Sequence, residues 1–107
     1  MKTILREAKQ LIDTTSWIKG DYYNANKTGF CLVGAMAEVL GGIGNAESWS
    51  NPGRSFLEDV IEEQFPERVM AHGVVDIPTF NDHEDTTRAD IDLVLEKAIA
   101  KADEIVT

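Results

Sequence analysis

Leu32-Val33-Gly34-Ala35-Met36-Ala37-Glu38-Val39-Leu40 is the most apolar stretch of the chain, and Glu38 is its only charge. A helix that is apolar on nearly every side is central, with other elements covering it. Gly34 inside it costs about 1 kcal/mol relative to alanine, so close approach by a neighbouring element is expected there. Gly41-Gly42 stop the helix. Cys31 stands immediately before its first residue.

Upstream, Tyr22-Tyr23 and Phe30-Cys31 flank the polar cluster Asn24-Ala25-Asn26-Lys27-Thr28-Gly29. Its Asn and Gly residues tolerate positive φ, as a short hairpin near residues 22–31 requires. Such a hairpin is marginal alone and must rest on helices. Earlier still, Ile4, Ala8 and Leu11, joined by Leu5 and Ile12, mark one face of a first helix over about 3–15. Thr14-Thr15-Ser16 end that helix by competing for backbone hydrogen bonds, and Trp17 follows as a large apolar anchor.

Downstream, residues 43–53 form a Gly-, Asn- and Ser-rich loop around Trp49 and Pro52. Ser55-Phe56-Leu57-Glu58 has the form of a capping box, opening a third helix whose buried stripe is Phe56, Leu57, Val60, Ile61 and Phe65. Pro66 interrupts it and starts a further turn through Met70, closed by Gly73. Asp76-Ile77-Pro78 opens a short turn carrying Phe80. Thr87 caps the last helix with Asp90 in the reciprocal position, and Ile91, Val94, Leu95, Ala98, Ala102 and Ile105 form its inner face. The reading is one mainly α domain over residues 1–107, a compact bundle of about four helices with room for the short hairpin.

A chain of 107 residues is one domain with one modest core. A single cysteine excludes an internal disulfide framework and a zinc site of several thiolates. No stretch approaches the roughly 20 apolar residues of a membrane span, and Met1–Gln10 is a polar helix pattern without an apolar signal core, so a cytoplasmic location in a bacterial cell is expected. The net charge of −9 opposes direct binding to nucleic acid. That charge is segregated: up to Leu57 five acids face six bases, whereas from Glu58 onward fourteen acids face four bases. This is either a solvated acidic surface or a face for a basic partner.

Three patches then carry a resemblance. Trp17-Ile18-Lys19-Gly20 looks like Trp-x-x-Gly, Cys31-Leu32-Val33-Gly34-Ala35 looks like Cys-x-x-Gly-Ala, and Phe80-Asn81-Asp82 resembles an aromatic-Asn-Asp motif ahead of a final helix. In that order they resemble a domain family of unknown function from actinobacteria and their bacteriophages. The resemblance implies a small bacterial or phage protein and no particular reaction. This chain departs from the family pattern in having Phe80 where tryptophan is usual, and Thr86 where an arginine precedes the matching Thr87.

Two sets of residues are candidates for function. Glu58, Asp59, Glu62 and Glu63 repeat at helical spacing along one exposed side of the third helix. Together with Trp49, an aromatic suited to a surface hot spot, they are the binding residues of a non-enzymatic accessory protein whose partner is a host protein with a basic surface. The alternative is a cysteine-centred enzyme or small-ligand domain. In it Cys31 sits at the positive end of a helix that favours the thiolate, and His83, Asp82 and Asn81 complete the constellation. Asn81 and Asp82 also read simply as turn formers. A third reading is an acidic mimic of nucleic acid. Asp82-His83-Glu84-Asp85 lacks the alternation and glycine of a calcium loop, and Gly41-Gly42-Ile43-Gly44 lacks the preceding strand and lysine of a phosphate loop. No metal and no cofactor is expected.

Overall fold

The computed structural model describes residues 2–42, 52–68, 70–71 and 74–106. In chain order these form α1 (Lys2–Thr14), α2 (Leu32–Val39), α3 (Pro52–Gln64), a 3-10 turn (Pro66–Arg68), β1 (Met70–Ala71), β2 (Val74–Val75), α4 (Ile77–Asp82) and α5 (Arg88–Val106). The fold is mainly helical. α1 packs on α2 and α5, α3 on α5 and α4, and α4 closes on α2.

The apolar segment takes the central place its composition demands. Residues 32–37 of α2 are all buried, among Leu5, Ala8 and Ile12 of α1, Leu57, Val60 and Ile61 of α3, Ile77 and Phe80 of α4, and Ile91, Val94, Leu95, Ala98 and Ala102 of α5. Gly34 is where the chain crosses itself: a Cβ placed there would collide with the carbonyl of Tyr22. Gly41 and Gly42 end the helix at φ 106° and 116°, with the Gly42 amide donating to the Ala37 carbonyl at 2.7 Å. A left-handed ending of this kind satisfies last-turn carbonyls at no Cβ cost.

The expected turn across 22–31 closes, but as isolated bridges. Phe30 faces Trp17 in a parallel bridge and Tyr23 in an antiparallel one. Its amide donates to the Ser16 carbonyl at 2.9 Å, and its carbonyl accepts from the Ile18 amide at 3.1 Å. One residue shared by two neighbours leaves no length for a ladder. The tip is held by the Asn24 side chain, whose Oδ1 accepts from the Thr28 amide at 2.8 Å; Lys27 there takes a φ of 54°. The regular strand pair lies elsewhere, with Met70 opposite Val75 and Ala71 opposite Val74.

Two boundaries differ from those the sequence suggests. α3 begins at Pro52, so Ser55 is an exposed residue inside the helix and does not cap it. Proline is preorganised for the first helical position and has no N–H to leave unpaired there, which moves the start ahead of the Ser55–Glu58 box. Pro66 does begin a new turn, but it ends at Arg68 and gives way to β1. The box at α5 holds as read: the Asp90 amide donates to Thr87 Oγ1 at 3.4 Å, and Asp90 Oδ2 accepts from the Thr87 amide at 3.1 Å.

Candidate functional site

α4 is only six residues long, yet it delivers the side chain that ties three distant parts of the chain together. Asn81 is 1% exposed. Its Oδ1 accepts from the Trp17 indole Nε1 at 2.7 Å and from the Leu32 amide at 3.1 Å. Its Nδ2 donates to the Ile18 carbonyl at 3.1 Å and to Asp82 Oδ1 at 2.9 Å. Both oxygen lone pairs and both amide protons are therefore matched. Next to it, Asp82 Oδ1 also accepts from the Gly20 amide at 2.9 Å, at a glycine with φ 83°. Lys19 Nζ donates to the His83 carbonyl at 2.7 Å and stands 5.5 Å from the centre of the Trp17 ring.

Cys31 caps α2: its sulfur accepts from the Gly34 amide at 3.3 Å. The side chain is 5% exposed. Burial pushes its thiol above the ordinary range, against the lowering effect of the Gly34 and Val33 amides, and the nearby charge of Asp82 pushes it further up. The helix end thus fails to produce a thiolate, because desolvation outweighs the amide dipoles. His83 Nδ1 accepts from the Asp85 amide at 3.1 Å.

A cleft of about 300 Å³ opens beside this junction, lined by Gly20, Asp21, Tyr22, Cys31, Pro78 and Asp82. Of the cysteine-centred set, the structure brings Cys31 and Asp82 to this one cleft and places Asn81 behind it as a fully bonded support. His83 is not among the lining residues. Among the described residues no group of three or more His, Cys, Asp and Glu could hold a metal ion. Lys19 and Pro78 escaped the sequence reading, since their places depend on contacts between distant parts of the chain.

Elsewhere on the surface, Asp59, Glu62 and Glu63 border a shallow depression with Lys101 of α5. Glu63 pairs with Lys101 at 3.3 Å and Glu58 with Arg54 at 3.7 Å. Asp59 and Glu62 are exposed and form no ion pair among the described residues. Trp49 lies outside the described residues.

The model of a family of unknown function, DUF6197, matches residues 1–101. The chain belongs to this family. No curated protein and no solved structure matches it. In this DUF6197 chain the three sequence patches converge: Trp17 and Gly20, the Cys31–Gly34 start of α2, and Asn81-Asp82 meet in one hydrogen-bonded junction. The two departures from the expected pattern are also accommodated. Phe80 is fully buried and stacks on Phe65 at 5.3 Å. Thr86, 3% exposed, accepts from Arg68 at 3.5 Å, while Arg88 is held by Asp13 and Asp92. No described helix is long and apolar enough to cross a membrane.

Proposed function

We propose that this chain is a non-enzymatic accessory protein of a bacteriophage or actinobacterium that acts by binding a basic surface of a host protein. The observation that carries this reading is the acidic side of α3, where Asp59 and Glu62 stand exposed without a cationic partner among the described residues. Glu58 and Glu63 have one ionic partner each among the described residues, both on the protein surface, where such pairs contribute little. A basic partner gains attraction from this stripe and loses it as salt rises. The protonated thiol of Cys31 and the saturated bonding of Asn81 weigh against a catalyst at the junction.

The test is capture from actinobacterial lysate by the tagged protein, washed at low and high salt, beside a variant carrying Glu58→Lys, Glu62→Lys and Glu63→Lys. One host protein retained in stoichiometric amount, released by salt and lost with the variant, is the expected result. Equal retention by the variant would remove the acidic stripe from the interface.

A second reading, a small-ligand domain, is favoured by one observation: Cys31 and Asp82, brought from 51 residues apart, line the same cleft.

A further inference from the structure

The cleft at the junction has a chemistry that selects among ligands, and the inference below rests on the small-ligand reading of it. Two carboxylates, Asp21 and Asp82, line it, and neither has an ion-pair partner among the described residues. Lys19 is turned to the His83 carbonyl and the Trp17 ring. Asp82 Oδ1 is held by the Gly20 amide and Asn81, and Asp21 Oδ1 by the Tyr22 amide at 2.9 Å. Each carboxylate, though exposed, thus has one oxygen held before any ligand arrives and the other open to it, which lowers the ordering cost of binding. Between them the walls are apolar or aromatic: Tyr22, Pro78 and the buried side chain of Cys31. The negative field reaches the wall, since Asp82 is among the charges acting on the thiol. About 300 Å³ is the low end of the size of ligand pockets, room for one small group and its stem.

We propose that this cleft receives a single organic cation, a guanidinium or primary ammonium on a short apolar stem. The carboxylates take the charged head by charge-assisted hydrogen bonds. Tyr22 supplies a ring suited to cation–π contact, and Pro78 and Cys31 cover the stem. The same chemistry is offered by a free diamine-like metabolite and by an arginine of a protein partner, so the probes must separate the two.

The experiment follows backbone and indole N–H resonances of the uniformly ¹⁵N-labelled protein during titration with three probes. N-acetyl-arginine amide stands for an arginine within a protein, agmatine for a free cation, and N-acetyl-citrulline amide is the neutral isostere. The expected result is saturable shifts of Gly20, Asp21, Tyr22 and Asp82 with a cationic probe, of order millimolar affinity, and none with the citrulline probe. Tighter binding of agmatine assigns a small molecule, and tighter binding of the acetylated probe assigns a side chain. Asp82→Asn keeps an oxygen for the Gly20 amide and should weaken binding about tenfold; an unmoved Trp17 indole resonance shows that the junction is intact. Asp21→Asn, remote from the Asn81 bonds, should weaken it likewise. Equal shifts with the neutral probe would leave a ligand cleft standing but overturn its preference for cations. No saturable shift with any probe, or shifts confined to Asp59 and Glu62, would overturn both the preference and the cleft.

Discussion

Asn81 is the residue on which the junction depends. Replacing it by alanine leaves the Leu32 amide and the Trp17 indole without their acceptor inside a packed region, at a cost of about 2–4 kcal/mol, measurable as a lowered urea midpoint. Gly34→Ala should cost as much or more, because the new methyl meets the Tyr22 backbone, which cannot swing aside as a side chain would. The same variant displaces Tyr22 and should abolish any binding in the cleft. Cys31 should react slowly with an alkylating reagent at neutral pH until the protein unfolds. Asp82→Asn, by removing a charge that raises the thiol pKa, should shift the pH profile of alkylation downward. At this scale the sequence is informative about type and poor about partners. Glycine within an apolar helix announces a close approach, but Tyr22 as the approaching group is not written beside it. Asn81 reads as a turn former, and its acceptor role for Trp17, 64 residues away, has no local trace.

Elements were legible where their signals are local. The reciprocal Thr87–Asp90 box and the glycine stop after α2 depend on neighbours within a few residues, and both stand as the sequence suggests. The Ser55–Glu58 box has the same form but loses to Pro52 three residues earlier. Thr87→Ala should therefore cost about 1 kcal/mol, while Ser55→Ala should stay within about 0.5 kcal/mol, a contrast that thermal denaturation of the two variants resolves. Asp90 carries a second, pH-dependent role. Its partial burial opposes ionisation, but hydrogen bonds from Arg68 and from the Thr87 amide, with the charge of Arg68, outweigh it and hold its carboxyl below the ordinary value. A depressed folded-state pKa stabilises at pH above the unfolded value of about 3.9 and is lost as pH falls through the folded one. Asp90→Asn should thus be less stable than the parent at neutral pH, and the difference should shrink as pH falls below the ordinary carboxylate range. A deficit unchanged across that range would place its origin in packing.

For the whole molecule, the division of charge was visible in the sequence and the division of labour was not. Composition tells that the second half is acidic; only the fold shows that the α3 carboxylates and the junction cleft belong to depressions with no residue in common, so that two separate surfaces carry negative charge. They should respond differently to salt. Retention of a partner on the stripe should fall steeply, since its carboxylates lie on an open surface. A cation in the cleft also meets exposed carboxylates, but Tyr22, Pro78 and Cys31 contact its stem, so its binding should fall less steeply than that of a partner held by charge alone, a difference that parallel titrations at two ionic strengths would read out.

The bond from Trp17 to Asn81 spans most of the chain, and it sets an order of events at the ribosome. α2 emerges early, apolar on nearly every side, while the asparagine that receives its first amide is still untranslated. The nascent chain must therefore hold its most insoluble segment in waiting until α4 has been made, a window in which it is exposed to aggregation and is a natural client for chaperones. Slowing translation between these two points should lower the soluble yield, and supplying a chaperone should restore it.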